Sequence, residues 1–310
     1  MRDNAEATAV LGQYNRNLKE IEKSFSAKIL ARGETIRIEG RAEEVEQVRA
    51  LFEKLLGLIE KNHCPSTADV RYLVEQIKAG AHVDGVLSDV VRVTHWGEEI
   101  RAKTVGQHRY VQAVRDSDVV FAIGPAGTGK TFLAVAAAVE ALKQERVDRI
   151  IVTRPAVEAG EKLGYLPGDL AEKVDPYLQP IWDAFRSQMS ENDLKTRRER
   201  RQIEVAPLAF MRGRTLSNAF VIVDEAQNAT VLQMKMVLTR LGEGSRMVVT
   251  GDPSQIDLLR SDQSGLAHAI SILEDVPGVD VIRFAAQDVV RHRLVAHIVE
   301  AYHRDESRHG

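Results

Sequence analysis

Three clusters of residues in this chain have the types and spacing of a site that handles a polyphosphate. The first is Gly-Pro-Ala-Gly-Thr-Gly-Lys-Thr at 124–131, which fits G-x-x-x-x-G-K-[ST] with Gly124, Gly129, Lys130 and Thr131 at the fixed positions. Gly127 and Gly129 open backbone conformations that a Cβ forbids. Gly124, Pro125, Ala126, Gly127, Thr128 and Gly129 can therefore wrap several N–H groups around one anion. Lys130 is expected to reach the β- and γ-phosphates of ATP, and the Thr131 hydroxyl to ligate Mg²⁺. The second cluster is Asp224-Glu225-Ala226-Gln227, which follows the apolar run Phe220–Val223. Asp224 is expected to hold Mg²⁺ through the metal's water shell, and Glu225 to orient or deprotonate an attacking water. The third is Gly251-Asp252-Pro253-Ser254-Gln255 after Met247–Thr250, in which Gln255 is a candidate sensor of the γ-phosphate. The catalytic candidates are thus Lys130, Glu225 and Gln255, and the metal candidates Thr131 and Asp224.

These clusters need a scaffold that brings them to one edge. Residues 119–123 read as a wholly apolar strand, and alanine, leucine and valine continue from the lysine to Leu142 as a helix packed on a sheet. The other two acidic or polar tips also follow short apolar runs. Strand, loop and helix in that order predict an α/β fold, a P-loop NTPase whose parallel sheet presents its site at the carboxyl ends of the strands.

Bulk properties bound the reading further. At 310 residues the chain fits one large or two modest domains. A formal net charge of −3 gives no global attraction to nucleic acid, so any such contact must come from local patches. Cys64 is the only cysteine, which rules out an intrachain disulfide or a zinc site built from several cysteines. No apolar run approaches the roughly 18–20 residues that span a bilayer, and MRDNAEATAV has no apolar signal region. A cytoplasmic location is the expectation.

Asp-Glu-Ala-Gln together with Thr-Gly-Asp-Pro-Ser-Gln resembles the motifs of superfamily 1 helicases. The stretches 153–185, 210–228 and 288–302 resemble more specifically the PhoH-like ATPase family. That resemblance covers about residues 105–303 firmly and implies a RecA-like ATPase core, a cytoplasmic setting and links to RNA metabolism. Association with an endoribonuclease of ribosomal-RNA maturation is also implied. Thr104–Tyr110 is similar to the helicase Q motif, which implies that Gln107 binds adenine and that Tyr110 helps form the base pocket. Superfamily 1 helicases clamp ATP between two lobes, whereas one P-loop core is visible here. The resemblance therefore implies a homo-oligomeric ring, hexameric by analogy, in which a neighbouring copy closes the site. An arginine for the transferring phosphoryl group is sought first at Arg291, then at Arg293, Arg212 and Arg214. The glycine- and proline-rich connector at 154–180 leaves a strand end over the site, where it either contacts RNA or a neighbour or is a structural insertion.

The N-terminal 62 residues resemble a KH domain: a basic helix, strands at 28–31 and 35–39, and an amphipathic helix with Val45, Val48, Leu51, Phe52 and Leu55 on one face. Gly12-Gln13-Tyr14-Asn15 stands where such domains carry G-x-x-G, with asparagine in the fourth place. Eleven basic residues balance eleven acidic ones in this module, though Arg16, Lys19, Lys23 and Lys28 concentrate charge early. The expected organisation is a KH-like domain at 1–62, a linker with a helix and a hairpin at 63–104, and an ATPase core at 105–310. Lys195–Arg201 adds five basic residues, a solvated helix end or a phosphate contact. The leading expectation is a Mg²⁺-dependent ATPase coupled to RNA. The alternatives are a nucleotide-gated docking module with slow turnover, and a P-loop nucleoside kinase, against which the lone cysteine argues.

Overall fold

The computed structural model describes residues 4–60, 64–78, 80, 89–155, 170–258 and 264–290. The chain divides into two compact units, 1–90 with 101–108 and 91–100 with 109–310. The N-terminal unit runs α1 (Asn4–Leu11), α2 (Arg16–Ser24), β1 (Lys28–Arg32), β2 (Thr35–Glu39), α3 (Ala42–Glu60) and α4 (Thr67–Lys78). α1 stops at Gly12, whose φ of 75° suits a residue without a Cβ. A Cβ there would also lie 2.8 Å from side-chain atoms of Arg16 and Asn17. Asn17 is fully buried, and its Nδ2 donates to the carbonyls of Val10 and Pro65 while its Oδ1 accepts from Thr67 Oγ1. One amide thus ties α1, α2 and the start of α4 together. β1 and β2 form an antiparallel hairpin. α3 buries Val48, Leu51, Phe52, Leu55 and Leu58, and Val70, Leu73 and Val74 of α4 join the same cluster. Each such side chain stabilises the unit by roughly 1.5–3 kcal/mol.

β3 (Val90–Val93) and β4 (Glu99–Arg101) flank a turn closed by the Thr94 N–H donating to the Glu98 carbonyl. α5 (Val105–Asp116) follows. The C-terminal unit then alternates β5 (Val119–Ile123), α6 (Lys130–Lys143), β6 (Arg149–Arg154), α7 (Leu170–Arg186), α8 (Glu191–Glu199), β7 (Ile203–Pro207), β8 (Ala219–Val223), α9 (Val231–Leu238), β9 (Arg246–Gly251), α10 (Gly265–Leu273) and β10 (Val279–Arg283). The six strands β5–β10 form one parallel sheet in the order β10-β5-β9-β8-β6-β7. Successive side chains along each strand enter opposite layers. Val120, Ala122, Ile150, Val152, Phe220, Ile222 and Val248 pack with α6 and α7, and Val91 and Ile100 from the small hairpin join that layer. Phe121, Ile151, Val221, Val223, Met247 and Val249 pack with α9 and α10. The apolar runs are therefore strands covered on both faces, as a parallel sheet requires.

This order decides where chemistry can sit. β5, β9 and β8 are consecutive neighbours, so the loops that follow them emerge side by side at the carboxyl edge. Among the described residues no helix is long and apolar enough to cross a membrane.

Candidate active site

The loop after β5 is shaped by three glycines at φ 143°, 85° and 81°, Gly124, Gly127 and Gly129. At Gly124 the reason is packing as well as backbone: a Cβ would lie 2.6 Å from the carbonyl oxygen of Phe284 and 2.7 Å from its Cβ. The Gly124 N–H donates to the Gly251 carbonyl at 3.1 Å, which joins the loop to the end of β9. Thr128 is buried and its hydroxyl donates to the Pro125 carbonyl at 3.0 Å. Lys130 Nζ donates to the carbonyls of Gly124 and Pro125 at 2.6 and 2.9 Å, so the ammonium spans the loop from its second half back to its first. α6 begins at Lys130 with Gly129 as its cap. The first N–H groups of a helix have no partner inside it, and its dipole is positive at that end. Loop and helix together make an anion cradle.

Tyr110 of α5 sits beneath this junction, 1% exposed, with its hydroxyl donating to the Lys130 carbonyl at 3.1 Å and its ring edge-to-face with Phe284 at 5.6 Å. Burial, and secondarily the Asp224 carboxylate, push its phenol well above the ordinary range. It props the start of α6, which corrects the expectation that Tyr110 lines a base pocket: a ring enclosed by the sheet and helix has no face left for a base. Gln107 lies in the N-terminal unit, buried, with its Oε1 accepting from the Lys103 N–H at 2.7 Å. Arg291 and Arg293 lie outside the described residues, as does most of the 154–180 connector. Arg214 forms a two-pronged pair with Glu204 at 2.6 and 2.8 Å, while Arg212 is exposed.

The carboxylates stand across from the cradle. Asp224, 4% exposed, accepts at Oδ1 from the hydroxyls of Thr131 at 2.6 Å and Thr250 at 2.7 Å. β8 delivers it, and the Asp224 N–H continues the ladder by donating to the Thr153 carbonyl. Glu225 has φ 51° and ψ 41°, a left-handed conformation uncommon for glutamate. That turn ends the strand, and the Glu225 carboxylate takes partners different from those of Asp224. Its Oε2 accepts from Gln227 Nε2 at 2.6 Å, and its Oε1 lies 3.8 Å from Arg154 at the end of β6. At the tip of β9, Asp252 accepts from the Ser254 N–H and hydroxyl and from Gln255 Nε2.

A cavity of about 270 Å³ lies between these groups. Ala126, Gly127, Gly129, Lys130 and Thr131 bound it on the cradle side, and Asp224, Glu225, Asp252 and Gln255 on the other. Gly124, Pro125 and Thr128 build the loop from behind without lining that space. The Thr131 hydroxyl and the Asp224 carboxylate, in contact at the cavity floor, are hard oxygen donors. They fit Mg²⁺, which keeps most of its waters and takes few protein ligands. Among the described residues no three or more His, Cys, Asp or Glu cluster to hold a metal by themselves.

Sequence reasoning missed Thr250 as a second donor to Asp224, Gln227 as the partner of Glu225, and Arg154 as the cation beside it. The signal for Thr250 was present as a polar residue ending an apolar strand. Nothing in the sequence aligned Arg154 with Glu225, because the pairing of β6 with β8 is tertiary.

The family model described as "PhoH-like protein" matches residues 99–303, more than half of the chain. A "PhoH-like protein" of Bacillus subtilis is 49% identical over 96% of this chain and 94% of its own length. One of Synechocystis is 48% identical over 97% and 92%. Among solved structures, a Sulfolobus solfataricus SWI2/SNF2 ATPase core in complex with dsDNA aligns with 62% of this chain and 44% of its own at 14% identity, with a TM-score of 0.31. A likeness that slight supports no reading of function. With a P-loop, an acidic strand end and a polar β9 tip converging on one cavity, and relatives near half identity over almost their full length, the chain belongs to the PhoH-like protein family and carries a P-loop nucleotide-binding fold.

Proposed function

We propose that this chain hydrolyses ATP in a Mg²⁺-dependent reaction in the cytoplasm and couples turnover to binding or remodelling RNA. The observation that carries the hydrolytic part is the 2.6 Å contact of Thr131 with Asp224, set in a cavity that Glu225 also lines. One carboxylate accepts from two hydroxyls, and the other accepts from the Gln227 amide beside Arg154. Adjacent acids with divided duties suit hydrolysis.

In this reading the cradle N–H groups and Lys130 bind the β- and γ-phosphates. Thr131 and Asp224 hold the magnesium ion, which when bound neutralises charge on the phosphate oxygens. Glu225 orients a water in line with the γ-phosphorus and takes its proton. The bond from that phosphorus to the β-bridging oxygen breaks, leaving ADP and inorganic phosphate. Gln255 reports the presence of the γ-phosphate to the β9 tip. An arginine, with Arg291 as first choice, comes from a neighbouring copy in a homo-oligomeric ring.

The RNA part draws on the N-terminal unit. The turn at Gly12–Asn15 joins two helices, as in KH domains, and presents Tyr14 at 88% exposure beside the exposed Arg16 and Lys19. An exposed aromatic next to cations suits stacked bases and phosphates. An endoribonuclease of ribosomal-RNA maturation fits as a partner of such an activity. The test is phosphate release by the purified chain with each nucleoside triphosphate, with and without structured RNA. ATP turnover that rises several-fold with RNA, and is lost in Lys130→Ala, is expected. Turnover indifferent to RNA removes the coupling, and a transfer product on a nucleoside in place of free phosphate returns the kinase alternative.

A further inference from the structure

We propose that Gln227 is the positioning residue of Glu225, fixing the carboxylate's direction and tying it to the β9 tip that carries Gln255. The inference deepens the hydrolytic reading above and rests on it. Gln227 is 1% exposed, so its amide must satisfy itself within the protein. Its Oε1 accepts from the backbone N–H of Asp252 at 3.0 Å. A backbone N–H can only donate, so that contact sets which end of the amide is oxygen. The NH₂ end is thereby committed to Glu225 Oε2, which it meets at 2.6 Å. The space around this bridge is fitted. Gly251 has no side chain where a Cβ would stand 3.1 Å from Gln227 Oε1 and 2.4 Å from Leu266. The Gln227 carbonyl accepts from the Ser264 hydroxyl at 2.8 Å, holding the residue from its backbone as well.

The consequence for Glu225 is geometric. Its backbone is left-handed and its side chain is partly exposed, two conditions under which a glutamate would sample several rotamers. A donor on Oε2 restricts that freedom, while Oε1 faces Arg154 at 3.8 Å and keeps lone pairs for a water. The same amide also links the two loops. A shift of Asp252 on engagement of Gln255 is passed through one N–H to the Gln227 amide and so to the carboxylate. Gln227 need not touch the nucleotide for this, and it acts through Glu225.

Three kinetic measurements test the assignment, with ATP binding followed separately by equilibrium titration of a fluorescent ATP analogue. Gln227→Leu removes both hydrogen bonds. It is expected to lower kcat about ten- to hundredfold, the scale of a misplaced catalytic group, with KM and analogue affinity within about twofold of wild type. In a Glu225→Gln background the same substitution is expected to cost nothing further, because the group it positions is already disabled. Gln227→Glu keeps the shape but sets two carboxylates against each other. Its turnover relative to wild type should recover as pH falls, since a protonated glutamate can again donate to Glu225. This isosteric variant keeps the question open to test if the leucine variant misfolds. An equal fold-loss from Gln227→Leu in both backgrounds, a loss confined to affinity, or no low-pH recovery of Gln227→Glu overturns the assignment. Unchanged turnover in Glu225→Gln alone overturns instead the catalytic role of Glu225, which separates the two failures.

Discussion

At the scale of single residues, the site is built from hydroxyls and amides that direct carboxylates. Asp224 is nearly enclosed, and its Oδ1 is shared between Thr131 and Thr250. Thr250→Val keeps the shape and removes one donor, leaving a lone pair unsatisfied at a cost of about 1–3 kcal/mol. Turnover is expected to fall about tenfold with a modest drop in Mg²⁺ affinity, read from phosphate release across a Mg²⁺ titration. Away from the site, the Arg214 hydrogen bonds hold the Glu204 carboxyl below its ordinary range, with the Arg214 charge adding to them and burial opposing. A depressed folded-state pKa contributes stability that is present above the unfolded value and is lost as pH falls through the folded one. Glu204→Gln should therefore melt below wild type at pH 7, and calorimetry should show that gap closing as the pH is lowered past the usual glutamate range of about 4.3.

At the scale of elements, the P-loop is held from outside itself. Gly124 lets β10 pass within contact of the loop, and the Phe284 N–H continues the ladder by donating to the Ile123 carbonyl at 2.8 Å. Tyr110 props α6, and the Val290 N–H donates to the Gly127 carbonyl at 2.9 Å. Gly124→Ala is expected to destabilise the unit by at least about 2 kcal/mol in urea unfolding. It sets a Cβ against a backbone carbonyl and asks for a positive φ that alanine resists. Ala134 and Ala138, one turn apart on the same face of α6 and each 0% exposed, keep that buried face of the helix narrow. The alanine run that reads as a helix in sequence is thus also a spacing device for the cradle.

At the scale of the whole molecule, the proposed ring would bring an arginine to each P-loop unit from another copy. Light scattering is expected to give a mass several times the 34.5 kDa of one chain. A single-chain mass at full turnover sinks the ring. Sequence by itself determined the P-loop, the acidic strand end, the α/β class and, in the N-terminal unit, the hairpin and helices α2 to α4, but not α1. Each rests on local rules: apolar runs of strand length, glycine where a Cβ is forbidden, and carboxylates at a strand end. It left residues 63–104 as a linker, whereas α4 packs in the N-terminal core and Val91 and Ile100 pack in the core of the second unit. It read Tyr110 as a base contact, although a tyrosine's pattern in a helix cannot say which layer will enclose it. Only the tertiary structure decided that β9 lies between β5 and β8, which brings Thr250 to Asp224 and Asp252 to Gln227. Strand order is set by how whole layers bury their faces, and no residue spacing along one chain encodes it.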